Sequence, residues 1–330
     1  MPSSSNNYLA EWQRGFKNEA GELGYSVKIV ENNFDQSEQD VQVQQALATA
    51  KLPDLFIFWP ADAKSGFASL RQLYKSGVPT VVANQPPVGE AQQFMTFYAG
   101  VNDYLNGETS GELMMKAREQ LERVRPLSSP AGNVLEVKFE AGYQASDARS
   151  QGFRDASAAE PFDIVASEYA GFDNETGYKT TSQLIAANKA KGIDFVYAHN
   201  DALATGAIRA LEEAGYTPGK DVMVVGGNCT GDLTGVAQGK QFGTGLQAAK
   251  LEGLYVADVV NRYLTTGAQV TDGEVDAPAQ PDTPTQQAQV SRFNYIPNPP
   301  VTFSDDQAAN ATTLDDTHLW GYNMRELCTY

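Results

Sequence analysis

The sequence predicts an α/β fold built from parallel sheets covered by helices on both faces, and three observations predict it. Short apolar runs alternate with amphipathic stretches of helical length along most of the 330 residues. These strand–helix units are too numerous for one compact sheet. A turn-rich break, Arg125-Pro126 through Pro130-Ala131-Gly132, divides them near Leu127 into two groups, which suggests two sheets.

The first element is a helix from about Asn7 to Leu23. Leu9, Trp12, Phe16, Ala20 and Leu23 recur at spacings of three and four, one apolar stripe, and Gly24 stops it. Ser26–Val30 then predicts a strand, and a Gln-rich helix runs from about Asp40 to Ala50 with Val43, Ala46, Leu47 and Ala50 inward. Leu55–Trp59 is a continuous apolar run closed by Pro60, the pattern of a buried strand. Helix 64–75, strand 80–83, strand 97–101 and helix 104–122 follow. Beyond the break come strand 134–139, helix 147–158, strand 164–168, helix 174–188, strand 195–198, helix 202–214 and strand 222–226. A short helix at 232–238, strand 242–247 and helix 251–265 complete the run. From about Thr271 to Gln289 the composition turns to Pro, Gln, Thr and Asp, which reads as a surface linker or insertion. The tail after Phe303 is polar and ends in aromatic residues (Trp320, Tyr322, Tyr330), predicting an extended or surface-packed segment.

Composition excludes several classes of function. The formal net charge is -17, with 41 Asp and Glu against 24 Lys and Arg. Such a chain lacks the clustered cations that neutralise nucleic-acid phosphates or an anionic membrane. No apolar run approaches the roughly 20 residues needed to cross a bilayer. Two cysteines, Cys229 and Cys328, lie about a hundred positions apart with no short spacing, so nothing in the sequence supports a disulfide. With His199 and His318 the only histidines, no zinc site is expected, and neither metal nor cofactor is predicted. Gly243-Thr244-Gly245-Leu246-Gln247-Ala248 fits a loose dinucleotide fingerprint, but it lies late in the chain and no acidic residue follows at the required distance. There is no phosphate-binding P-loop and no nucleophile elbow. His199 reads as a solvated or cleft-edge histidine, because nothing pairs it with a nucleophile. No catalytic residue is predicted.

Parallel sheets bind ligands beyond the carboxyl ends of their strands. Those positions here hold Trp59-Pro60-Ala61-Asp62, Asn84-Gln85-Pro86, Glu140–Tyr143, Ala170–Asp173, His199-Asn200-Asp201 and Gly227–Thr230. Amides and carboxylates hydrogen-bond hydroxyl groups while rings pack on the apolar face of a sugar. The same residue types also serve as turn formers and helix caps. At Asn200-Asp201 both roles are expected, with Asp201 capping a helix and Asn200 facing a ligand.

Tyr197-Ala198-His199-Asn200-Asp201, then Gly206–Leu211 and Gly219-Lys220-Asp221-Val222, resembles the type I periplasmic sugar-binding proteins of ABC transporters, closest to the ribose- and galactofuranose-binding branch. Ser5-Asn6-Asn7, Arg149–Phe153 and Gly171-Phe172-Asp173 support it, and the resemblance covers roughly residues 3 to 265. It implies two Rossmann-like lobes joined by a three-strand hinge: an N-terminal lobe of 1–102 plus 248–270, a C-terminal lobe of 103–247, an insertion and third hinge crossing in 271–303, and a tail of 304–330. It also implies capture of a monosaccharide or similar polyol between the lobes by hinge closure, an ABC permease as partner, no nucleic acid, and action as a monomer. The family's binding positions fall on Asn7, Asn84, Gln85, Arg149, Phe172, Asn200, Asn228 and Gln247, with Trp59 added from its place after a strand. Asn7, Arg149, Phe172, Asn200 and Gln247 keep the family's residue type. Ribose-type proteins commonly place Asp-Arg where this chain has Asn84-Gln85, Asp where it has Asn228, and often Asn where it has Trp59. Arg149 is therefore expected to be the main full charge facing the ligand, favouring a carboxylate or polarised ring oxygen, unless it pairs with Asp147 or Asp173.

Two other classes share parts of this pattern. The sensory domain of a LacI-type transcriptional regulator would carry a helix-turn-helix of roughly 60 residues before the first lobe. An enzyme using the cleft would need a nucleophile–base pair or a cofactor loop. The chain opens Met1-Pro2-Ser3-Ser4-Ser5 with neither the basic nor the apolar part of a secretory signal. It also opens on a helix, where a sheet of strand–helix units begins with a strand. Both facts predict an upstream strand preceded by a signal or lipoprotein peptide, and hence a periplasmic or lipid-anchored extracellular protein.

Overall fold

A computed structural model describes residues 1–231, 233–266, 269–277, 290–302, 312–313 and 318–328. The chain divides into two compact units, Met1–Val101 with Ala249–Pro297, and Asn102–Ala248 with Asn298–Tyr330.

The first unit begins with α1 (Asn7–Glu22), capped by the Asn6 side chain, and α2 (Gln36–Leu47), capped by Asp35. It continues through β1 (Phe56–Phe58), α3 (Phe67–Lys75), β2 (Thr80–Ala83) and β3 (Phe97–Gly100). The second unit supplies α4 (Asp103–Glu122), β4 (Asn133–Lys138), α5 (Gln144–Ala156), β5 (Asp163–Tyr169) and α6 (Asn174–Asn188). After these come β6 (Phe195–Ala198), α7 (Asp201–Glu213), β7 (Met223–Val225), α8 (Thr234–Ala237) and β8 (Gly243–Gly245). The chain returns to the first unit with α9 (Ala249–Thr266), β9 (Val270–Asp276) and β10 (Val290–Tyr295). It ends in the second with β11 (Pro300–Thr302), β12 (Thr312–Thr313), β13 (His318–Leu319), β14 (Tyr322–Asn323) and α10 (Met324–Cys328).

The first unit's sheet has the order β1-β2-β3-β10-β9 and is parallel throughout. Val43, Phe58, Leu70, Leu73, Val82 and Tyr98 form the core between this sheet and α2 and α3. The second sheet has the order β12-β11-β8-β7-β6-β4-β5, parallel except where β11 meets β8. Its central strands β4, β6 and β7 are mostly apolar on both faces, as burial under two helical layers requires. Leu135, Val137 and Val196 face α6 and α7, while Val134, Phe195 and Tyr197 face α4 and α5.

Three expectations from the sequence are corrected. Ser26–Val30 is not a strand: Tyr25–Glu31 has no sheet partner, Val27 and Val30 are exposed, and only Asn32 makes an isolated bridge, to Pro2. A run with β-pattern becomes a strand only where a neighbour offers a ladder. The segment read as a linker from Thr271 holds most of β9, which pairs with β10 at the sheet's edge; its residues 278–289 lie outside the described residues. The tail is likewise built into the second unit. β12 joins its sheet beside β11, Leu327 and Cys328 are fully buried, and Cys328 forms a disulfide with Cys229 that the spacing gave no reason to expect. Tyr330 lies outside the described residues.

Candidate ligand-binding site

In the first unit the site candidates gather where β1 and β2 end. Asn84 follows β2 with a left-handed backbone, φ 62°. The Tyr98 hydroxyl bridges the carbonyls of Asn84 (2.9 Å) and Val101 (2.8 Å), which holds that turn in place. Asn84 Nδ2 donates to both carboxylate oxygens of Glu252 on α9, at 3.2 and 3.1 Å, and the Tyr8 hydroxyl donates to Glu252 Oε2 at 2.8 Å. Gly100 permits this convergence. A Cβ there would stand 2.8 Å from Glu252 Oε1 and from the Tyr98 hydroxyl, and 2.9 Å from the Asn84 nitrogen. Gln85 is buried and donates to the Pro60 carbonyl. Trp59, expected to face a sugar, is 4% exposed and lies edge-on to Tyr8 and Trp12. Asn7 is the exposed first residue of α1, and no hydrogen bond links it to this group among the described residues.

In the second unit all five candidates belong to one network centred on Arg149, which is 1% exposed. Its guanidinium donates to Asp103 at 2.7–2.8 Å, to Gln247 Oε1 at 2.8 Å and to the His199 carbonyl. It also lies over the Phe139 ring, 4.9 Å from the centroid. Phe139, Tyr143 and Phe172 form an aromatic cluster with centroids 5.1–5.7 Å apart. Asn200 Nδ2 donates to the Phe172 carbonyl at 3.0 Å, and the Gln247 nitrogen donates to the Asn228 carbonyl at 3.1 Å. The partner of Arg149 is thus Asp103, neither Asp147 nor Asp173. A carboxylate in the first turn of α4 reads in sequence as a helix-end charge, which hides the pairing. With its charge balanced inside the unit, Arg149 has no standing need for an anionic ligand.

The roles expected at Asn200-Asp201 are also rearranged. Asn200 is itself the cap of α7, accepting from the Leu203 nitrogen at 2.7 Å. Asp201 is fully buried and accepts from Gln241 Nε2, the Thr230 nitrogen and the Thr244 hydroxyl. Burial pushes its pKa up to about 7 against the pull of those donors. Its contacts fix the loop in which Asn228 (φ 85°) and Cys229 (φ 55°) are left-handed. Asn228 Oδ1 is buried with no hydrogen-bond partner among the described residues. A buried orphan acceptor is costly unless something donates to it.

His199 is fully buried rather than solvated, its Nε2 3.3 Å from Glu136 Oε1. Burial lowers the histidine's pKa, keeping it neutral and able to donate to the carboxylate. Burial opposes ionisation of Glu136 too, but donors from His199, Ser150 and Ser167 outweigh it and hold that pKa at about 2. The pair has the composition of an acid–base dyad, yet neither side chain has exposed surface and the carboxylate's oxygens are already engaged. Among the described residues no group of three or more acidic, His or Cys side chains could hold a metal ion. Glu252 is the residue that sequence reasoning missed in the first unit. Its signal was a carboxylate set among the apolar Leu251, Leu254, Tyr255 and Val256 near the start of the helix.

Two parallel α/β units, each with polar side chains collected where its strands end, define a binding-protein architecture. The chain belongs to the periplasmic binding protein domain family, whose model matches residues 1–269. It is 26% identical to the ribose import binding protein of Salmonella typhimurium over 79% of this chain and 81% of that one. It is 28% identical to the galactofuranose-binding protein of Escherichia coli over 67% of this chain and 64% of that one. Its fold matches the crystal structure of a galactofuranose binding protein with TM-score 0.73 and 20% identity, covering 92% of this chain and 94% of that one.

Proposed function

We propose that the protein is the substrate-binding component of an ABC importer, holding a small neutral polyhydroxylated ligand without transforming it and presenting it to a membrane permease. The observation that carries this is a pair of amide oxygens. Asn84 and Asn228 each follow a strand with a left-handed backbone, and neither Oδ1 has a hydrogen-bond partner among the described residues. Oxygen acceptors call for O–H donors, and a sugar or polyol supplies several at fixed spacing. The Arg149 guanidinium and the aromatic cluster of Phe139, Tyr143 and Phe172 supply a donor and an apolar wall. Each neutral hydrogen bond contributes about 1 kcal/mol net and each charged one up to about 3. A handful reaches about -8 kcal/mol, a micromolar dissociation constant.

The ribose and galactofuranose named for the relatives set the ligand class to test first. A disulfide fits an oxidising compartment such as the periplasm or the cell exterior. Isothermal titration with ribose, galactose, arabinose, allose and myo-inositol tests the proposal. Binding at micromolar concentration with the sugar recovered unchanged supports it. No binding below millimolar, or a chemically altered sugar, refutes it.

A further inference from the structure

The first unit carries a buried carboxylate directly behind its strand-end candidates. Glu252 is fully buried on α9, and two donors are aimed at it: Asn84 Nδ2 and the Tyr8 hydroxyl. A carboxylate thus stands a hydrogen bond's length behind the amide at the end of β2.

An Asn side chain can present either a donor or an acceptor, and which one faces a ligand depends on what holds the other end. Both carboxylate oxygens of Glu252 lie within 3.2 Å of the nitrogen end of the Asn84 amide. Oδ1 is thereby turned away from Glu252 and left without a partner among the described residues. We propose that Glu252 is a specificity-determining positioning residue. It locks the amide of Asn84 so that the first unit offers a hydrogen-bond acceptor to a ligand hydroxyl. The same geometry explains the amide. An aspartate in place of Asn84 would set two carboxylates about 3 Å apart with little water between them, an arrangement in which both cannot stay ionised. Asn84 and Glu252 therefore form one unit of recognition, with the amide at the strand end and the carboxyl group on the helix behind it. The backbone is built around that contact: the Tyr98 hydroxyl pins the Asn84 carbonyl, and Gly100 leaves room for the Glu252 carboxylate.

The inference rests on the sugar-binding proposal, and a double-mutant cycle on the tightest-binding sugar of the titration panel tests it. E252Q can offer Asn84 either a donor or an acceptor, so the amide is no longer locked, and affinity should fall about tenfold. N84D brings the two carboxylates together and should lose at least as much. In N84D/E252Q the introduced glutamine amide donates to one oxygen of the introduced carboxylate and leaves the other for the ligand, so affinity should return to within about threefold of the native protein. A residue that only props up the fold would not be rescued by a second substitution. Thermal melting of each variant separates unfolding from mispositioning. If E252Q does not fold, N84D alone decides, because native-like affinity in N84D overturns the proposal. So does native-like affinity in E252Q, or additive losses in the double variant. A native protein that binds no panel sugar overturns the function proposed above and this role with it, whereas native binding with an indifferent E252Q overturns this role alone.

Discussion

Cys229 and Cys328, 99 positions apart in sequence, are joined by a disulfide with their Cα atoms 4.8 Å apart, and Cys229 directly follows the orphan acceptor Asn228. The bond ties the end of the chain to the loop that presents a candidate ligand group. The Cys229 nitrogen also donates to the Thr244 hydroxyl, so the loop is held from both sides.

Cross-links over long loops constrain the unfolded chain most, about 4.7 kcal/mol for a loop of roughly 100 residues in the chain-entropy model, with typical measured values of about 2–4. C229S/C328S should therefore lower stability by about 2–4 kcal/mol. Reduction of the native protein should lower its melting temperature to that of the double variant. Equal melting temperatures with and without reductant would show that the bond is not formed in solution.

Asp201 sets a pH dependence of the opposite sign to the usual surface carboxylate. Its folded pKa is raised from 3.8 to about 7, chiefly by burial. Between roughly pH 4 and pH 7 the folded state keeps a proton that the unfolded state releases, so stability falls as pH rises. The full span corresponds to about 4 kcal/mol at most, from 1.36 kcal/mol per unit. D201N stays neutral at every pH and should remove this part of the slope. Urea unfolding from pH 4 to 8 reads it out, and parallel pH profiles for the two proteins would refute the assignment.

Arg149 should matter to both folding and binding. R149A strands Asp103 and leaves Gln247 Oε1 and the His199 carbonyl without their donor, costing about 3–5 kcal/mol of stability. R149A/D103A should recover part of that loss, because the stranded charge is gone. If R149A remains folded, sugar binding should weaken by about 2–3 kcal/mol through lost charged hydrogen bonds. An affinity change under about threefold would exclude Arg149 from recognition.

Trp59 separates a core role from a stacking role. Its ring is buried against Tyr8 and Trp12, so W59A should cost about 3–5 kcal/mol in urea unfolding. W59F keeps an aromatic ring and should cost less while leaving sugar affinity within about threefold. A large loss of affinity in a stable W59F would instead place the ring against the ligand.

Much of the fold was legible because it depends on periodicity. Thr80–Ala83, Asn174–Asn188 and Phe195–Ala198 occupy the bounds that their apolar patterns predict, since a strand buried on both faces and a helix buried on one each write their environment into the sequence. Ser26–Val30 failed for the complementary reason. Its pattern is that of a strand, but a strand is made by a partner, and no local pattern records whether one is present.

The sequence by itself determined the alternation of strands and helices, the amide-rich strand ends, and the acidic charge balance, all of which follow from residue type and short-range order. Only the tertiary structure decided which side chains complete one another. Arg149 chose Asp103, 46 positions away, Asn84 chose Glu252, 168 positions away, and Cys229 found Cys328 across 99. Such pairings depend on where a packed fold brings distant segments. The energy that selects them, the cost of leaving a buried charge or amide unpaired, exists only once the core has excluded water.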